Sequence, residues 1–160
     1  MSMSEPQLQI KLLSDPQLLG PVRGIVKASA EKAGFDADSA SHLCLAVDEG
    51  LANIIRHGYE SDHEQPIWMS IWFEADDQPG LTIHIEDEAQ QVDPSTIRSR
   101  DLEEVRPGGL GVHLIQEIMD ECSWEKRGDK GMILKLRKRL PGNLTGCGSS
   151  GPDDGDGIER

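Results

Sequence analysis

The chain is 160 residues long, enough for one domain with a buried core. It carries 29 acidic and 16 basic side chains, a formal charge of −13 spread along its length; such a surface repels nucleic acid and anionic membranes and suits a partner with a basic patch. Cys44, Cys122 and Cys147 show no metal-ligand spacing, the first residues lack the pattern of a signal peptide, and no apolar run approaches the roughly 20 residues of a membrane span, so a cytoplasmic protein with free thiols is expected.

Gln7 to Leu13 alternates, with Leu8, Ile10 and Leu12 on one face, and predicts a first strand. Asp15 can cap a helix with Pro16 at its first position; it would run to about Lys32 and end at Ala33-Gly34, with Gly20-Pro21 able to delay its start. Asp36 and Asp38 are alternative caps for a second helix. In it Leu43, Val47, Leu51, Ile54 and Ile55 follow a helical period as the buried stripe, and Gly58 fits a C-terminal cap. Gly50 in its middle costs about 1 kcal/mol relative to Ala. Either a close approach by ligand or neighbouring backbone requires it or it is a tolerated defect.

Pro66 to Phe73 and Leu81 to Ile85 predict two strands joined as a hairpin around Asp76-Asp77-Gln78-Pro79-Gly80. Val92 to Gly109, with Pro94 and Pro107, reads as a long loop with room for one helical turn, a length typical of functional lids. Val112 to Met119 predicts a third helix ended by Asp120-Glu121, and Ser123 to Lys126 and Met132 to Leu136 a closing hairpin around Gly128-Asp129-Lys130-Gly131. From Pro141 onward Gly, Ser and Asp dominate, so residues 1–140 are expected to fold and 141–160 to form a disordered acidic tail. Helices and strands are segregated rather than alternating, which favours an α+β two-layer sandwich over a doubly wound sheet.

Three features can carry chemistry. Glu49 and Asn53 stand at i and i+4 on one helical face, so they are either a solvated polar face or a pair acting on one ligand. An Asn oxygen suits Mg²⁺ that also touches phosphate, and a nearby Glu can accept a proton from a hydroxyl. Arg106-Pro107-Gly108-Gly109-Leu110-Gly111 is either a tight turn before a helix or a place where backbone N–H groups reach phosphate oxygens. It is neither a Walker motif nor a Rossmann fingerprint. Asp87 follows the strand ending near Glu86, where it can form a turn or accept from an amine such as adenine's. His42, His63, His84 and His113 show no convergent metal spacing, and Trp68, Trp72 and Trp124 fall in predicted strands as core or interface packing residues.

Three runs in this order carry a resemblance: Ala46-Val47-Asp48-Glu49 with Asn53 and His57-Gly58-Tyr59, then Ile85-Glu86-Asp87 with Val92-Asp93-Pro94, then Arg106 to Gly111 with Leu114-Ile115 and Met119-Asp120. Over residues 8–138 the chain resembles the anti-sigma-factor serine/threonine kinases of the histidine kinase-like ATPase (GHKL) superfamily, which also holds gyrase and the histidine kinases. The resemblance implies a Bergerat-type sandwich, with a mixed, mostly antiparallel sheet covered by helices on one face. It implies that Glu49 is the general base toward a serine hydroxyl, Asn53 the Mg²⁺ ligand and Asp87 the reader of the adenine amino group. Gly108, Gly109, Leu110, Gly111 and Val112 would form the phosphate-facing hinge of a lid over residues 92–110, with Arg56 and His57 as supporting residues and His57 making an orienting hydrogen bond. Implied with it are ATP and Mg²⁺, a homodimer, a sigma factor as bound partner, and an anti-anti-sigma protein that competes for the kinase and is phosphorylated by it. A sensor histidine kinase fragment fits less well, since no dimerisation helices or phosphoacceptor segment precede the first strand.

One segment departs from the family pattern. Where the family has Asp-x-Gly, this chain has Asp87-Glu88-Ala89-Gln90-Gln91-Val92. Glycine permits φ > 0 and close passage of backbone by the purine; Ala89 adds a methyl and Glu88 a negative charge. Weakened nucleotide affinity is the expectation, with Ala89→Gly restoring it. The alternative function is a catalytically weakened or non-catalytic protein-binding module of the same fold.

Overall fold

The computed structural model describes residues 4–75, 77–97 and 110–142. Strand β1 (Leu8–Leu13) leads into a 3-10 turn (Pro16–Leu18), helix α1 (Leu19–Ala33) and helix α2 (Ala37–Asn53), which continues as a π-helical turn (Ile54–Gly58). Strands β2 (Pro66–Glu74) and β3 (Gly80–Glu86), a 3-10 turn (Pro94–Thr96), helix α3 (Leu110–Ile118) and strands β4 (Glu121–Lys126) and β5 (Met132–Arg139) follow.

Local signals explain most of these boundaries. Asp15 accepts from the Gln17 amide at 2.9 Å, yet the chain makes only a 3-10 turn before α1 begins, so that Pro21 falls in the first turn, where its missing N–H removes no helical bond. Gly34 closes α1 at φ 105°. Asp36 is the cap of α2, accepting from the Ser39 amide at 2.7 Å, and Asp38 lies in the first turn. α3 starts at Leu110, two positions before the sequence suggests. The expected boundary at residue 140 falls just inside the described residues, and the tail from residue 143 lies outside them.

The end of α2 differs from expectation. Regular helix was predicted to reach Gly58, but it stops at Asn53 and the next five residues wind more widely, with the Tyr59 amide bonded to the Ile54 carbonyl at 2.8 Å. Gly58 is not the left-handed cap; Glu60 (φ 51°) and Ser61 (φ 64°) take that conformation instead. Packing overrides the local signal here, because the wider turn brings buried Ile55 and Tyr59 onto the end of the sheet.

The sheet has the order β1-β2-β3-β5-β4, and among the described residues every pairing is antiparallel. Its register aligns apolar rows. Ile10, Met69, Ile85, Leu134 and Trp124 form one row, and Leu8, Ile71, Ile83, Leu136 and Cys122 the next. These rows face the helices, with α2 between α1 and α3. The other face carries Trp68, Ser70, Trp72, Thr82 and His84, and no described helix covers it; Arg127 lies 4.6 Å from the Trp68 ring there, and Trp72 packs on His84 at 4.6 Å. The architecture is therefore the α+β two-layer sandwich expected. No described helix is long and apolar enough to cross a membrane.

Gly50 decides how deeply α2 settles. A Cβ there would lie 2.8 Å from Leu134 Cδ2 and 3.5 Å from Ile85 Cδ1, so the missing side chain lets the helix rest on two sheet residues. Gly50 does admit a close approach, but by side chains of the sheet and not by the ligand or backbone the sequence suggested. Gly50→Val should lower the unfolding free energy by about 1–3 kcal/mol through overpacking, measured by urea denaturation.

Candidate functional site

Glu49 and Asn53 project from α2, both half-buried, on the side that meets α3. α3 arrives with Gly111 over them: a Cβ on Gly111 would stand 2.6 Å from Glu49 Oε2 and 3.5 Å from Asn53 Nδ2. Any side chain at this position would displace the carboxylate. The first turn of α3 also leaves its N–H groups outside the helical ladder, at the positive end of the helix dipole. A proton acceptor, a neutral amide and the start of a helix thus converge at one place. Leu110 is 69% exposed beside them and Val112 is half-buried. Gly108 and Gly109 lie outside the described residues, as do residues 98–109 of the lid expected over 92–110.

Asp87 is placed by strand parity. Inward positions on β3 are Leu81, Ile83 and Ile85, and the next in that alternation is Asp87, 4% exposed. A carboxylate therefore ends an apolar row. Its Oδ1 accepts from the amides of Ala89 (2.8 Å) and Met132 (3.1 Å), while Oδ2 receives no hydrogen bond from a described residue. Burial pushes the Asp87 carboxyl above its usual range, against the two amides and Arg127, which pull it down. One oxygen is fixed by backbone and the other is free to accept from a ligand.

Gly131 makes this arrangement possible. It sits at φ 83°, and a Cβ there would lie 1.9 Å from the Asp87 carbonyl oxygen. Its amide donates to the Ala89 carbonyl at 2.9 Å, and the Asp87 amide donates to the Met132 carbonyl at 3.1 Å. Gln91 fastens the same turn, its Nε2 donating to the carbonyls of Gly128 (2.9 Å) and Gly131 (3.2 Å).

The structure changes the meaning of the Glu88-Ala89 departure. Ala89 does not adopt positive φ, so its backbone asks for no glycine. Its methyl is turned into the fold, 6% exposed, against Gly58, where a Cβ would approach it to 3.1 Å. Glu88 is paired with Lys130 at 2.7 Å and Arg127 at 3.5 Å, and the bond from Lys130 holds its carboxyl below the usual range. Both reasons for a weakened pocket are met by neighbours.

Arg56 and His57 are exposed on the π-turn, and neither makes a hydrogen bond to a described residue, so the expected orienting bond from His57 is absent among them. The wide turn points its neighbours inward instead. Tyr59, 8% exposed, makes the contacts to the Asp87 loop. Sequence reasoning assigned no role at the site to Tyr59, Gly58 or Gly131; a Gly-aromatic pair directly after a polar helix face was the one available signal.

The set fits a magnesium nucleotide. Among the described residues no group of three or more His, Cys, Asp and Glu side chains could hold a metal ion. A single amide beside a helix N-terminus suits Mg²⁺ that takes its remaining ligands from phosphate and water.

Comparison with known proteins identifies the family of this fold. Residues 12–138 match the family model described as the histidine kinase-like ATPase domain. The chain is 25% identical to the serine-protein kinase RsbW of Bacillus velezensis over 157 aligned residues, which cover 94% of this chain and 96% of that one. Against RsbW of Bacillus subtilis it is 23% identical over 141 residues, 84% of this chain and 86% of the relative. Among solved structures, the crystal structure of the SiaB-SiaC complex from Pseudomonas aeruginosa holds a chain similar in fold, with a TM-score of 0.59, 14% identity, and coverage of 85% of this chain and 91% of that one.

Gly131→Ala should cost at least about 2 kcal/mol, since it combines strained backbone with a backbone clash. Hydrogen exchange should show the Ala89 and Met132 amides losing protection first.

Proposed function

The chain belongs to the histidine kinase-like ATPase family, and we propose that it is an ATP- and Mg²⁺-dependent protein serine kinase. In this reading it sequesters a sigma factor and phosphorylates the anti-anti-sigma protein that competes for it. The observation that supports the proposal is the approach of Gly111 to Glu49 and Asn53, which gathers a carboxylate, a side-chain amide and the start of α3 in one region.

Each residue then has one task. Asp87 accepts from the adenine amino group at Oδ2 and fixes the base. Asn53 offers its side-chain oxygen to Mg²⁺, and the first turn of α3 offers N–H groups to phosphate. Glu49 accepts the proton of the incoming serine hydroxyl as the serine oxygen bonds to the γ-phosphorus and the bond from that phosphorus to the β–γ bridging oxygen breaks, releasing ADP. Bound Mg-ATP supplies the phosphoryl group and neutralises its charge; positioning and electrostatics do the rest. Gly108, Gly109, Leu110 and Val112 complete the hinge on this reading. The net charge of −13 favours partners with basic surfaces. A cytoplasmic homodimer completes the proposal.

The rival reading, a module of this fold that binds partners without transferring phosphate, drew its force from Ala89 and Glu88. Both are accommodated by Gly58, Lys130 and Arg127.

Purified protein incubated with Mg-ATP and an anti-anti-sigma protein should form phosphoserine on the latter. Glu49→Gln should cut that rate by about 10²–10⁴-fold, the usual worth of a general base, with ATP binding retained by calorimetry. Undiminished transfer in the variant removes Glu49 from the mechanism. A wild-type protein with neither transfer nor a Mg-ATP-dependent rise in melting temperature sinks the kinase. Ala89→Gly, with its methyl directed at Gly58, should leave ATP affinity unchanged and lower stability by about 0.5–1 kcal/mol.

A further inference from the structure

Tyr59 is the first residue after the π-turn and is 8% exposed. Its phenolic oxygen lies 2.6 Å from the Pro66 carbonyl, to which it donates, and 2.6 Å from the Glu88 amide, from which it accepts. A hydroxyl has one donor and two lone pairs, so both bonds are satisfied together. Burial pushes the phenol above its ordinary range, which keeps the proton on the oxygen and the donation to Pro66 intact. Gly58, the preceding residue, meets the Ala89 methyl.

The Asp87–Ala89 loop is thus held from two sides. The sheet side supplies Met132 and Gly131, bonded to the Asp87 amide, the Asp87 carboxylate and the Ala89 carbonyl. The helix side supplies the Tyr59 hydroxyl on the Glu88 amide and the surface of Gly58 under Ala89. Among the described residues, the Tyr59 hydroxyl is the hydrogen-bonding group that ties this loop to the segment continuing α2. Asn53, six positions before Tyr59, sits on that same continuous segment. The π-turn is what makes this possible: the i to i−5 bond from the Tyr59 amide to the Ile54 carbonyl rotates residues 58 and 59 away from the face a regular helix would give them.

We propose that Tyr59 is a positioning residue for purine recognition: its hydroxyl fixes the Glu88 amide so that the free oxygen of Asp87 meets a 6-amino group, and so links base selection to the helix that carries Asn53. The inference rests on the reading of the site as an adenine-nucleotide pocket. Tyr59 touches no ligand in this scheme. It acts through the loop, and its loss affects the contact made by the amino group more than the contacts made by phosphate.

The test compares two nucleotides that differ only in that group, ATP and purine riboside 5′-triphosphate, by calorimetry with Mg²⁺. Wild-type protein should prefer ATP. Tyr59→Phe, which removes only the hydroxyl, should weaken ATP binding on the order of tenfold, the scale of one hydrogen bond. It should leave affinity for the purine analogue unchanged, so that the preference collapses. A variant that is less heat-stable but keeps the wild-type preference overturns the proposal, because a merely structural tyrosine would behave in that way. Should Tyr59→Phe not fold, Gly58→Ala displaces Ala89 from the same side with the phenol in place. It carries the same expectation, and an unchanged preference there also overturns the proposal. A wild-type protein that binds both nucleotides equally, or neither, overturns instead the reading of Asp87 on which the inference stands.

Discussion

A buried carboxylate at the end of an apolar row is the constraint around which this site is built. Asp87, just past the end of β3, continues the inward row of Leu81, Ile83 and Ile85, and taking a charged group out of water is costly unless it is bonded. Two backbone amides answer one oxygen, each charge-assisted bond contributing on the order of 1.5–3 kcal/mol. The carboxyl is nevertheless pushed up by burial, so desolvation outweighs those bonds. An N–H donated to the remaining oxygen would favour the charged form and offset the burial. Gly131, the Met132 amide and the Gln91 clasp all follow from holding that carboxylate in place.

The helix layer answers the same demand from the opposite end. Gly50 lowers α2 onto Ile85 and Leu134, and Gly111 lets α3 reach the carboxylate and amide of Glu49 and Asn53. Two missing side chains set the depth of one helix and the approach of another. The polar face of α2, which a solvated helix would turn to water, is instead roofed by α3. That is why the pair is half-buried and not free, and why its residues can act on a common ligand.

The sequence made the sandwich legible because its signals were local. Strand alternation at Leu8 to Leu12, the caps at Asp15 and Asp36, and the turn residues around Pro79-Gly80 each depend on a few neighbouring residues. Glu49 and Asn53 were legible as a pair, since helical spacing is geometric. The π-turn was not legible, because Gly58 is a sound helix cap by local rules and only packing against Ala89 and the sheet end selects the wider winding. Tyr59 was missed for a related reason: its partners, Pro66 and Glu88, are brought to it by tertiary structure. Trp68 and Trp72 were assigned to core or interface packing, and period-two alternation alone does not say which face of a strand lies under the helices. The register places them on the face without helices.

The departure at Glu88-Ala89 shows how far a single position can be read alone. An added methyl and an added charge next to a nucleotide both argue against binding when considered in isolation. In the fold the methyl occupies the space left by Gly58, and the charge meets Lys130 and Arg127, the latter also bonded to Glu86 and stacked on Trp68. Residues 58, 89, 127 and 130 thus form one unit spread over three segments. Contacting residues of this kind do not act additively. The compensating contacts to Ala89 and Glu88 come from the same sequence. In this chain the loop has room for the Ala89 methyl on its helix side, at Gly58, and countercharge for Glu88 on its solvent side, at Lys130 and Arg127.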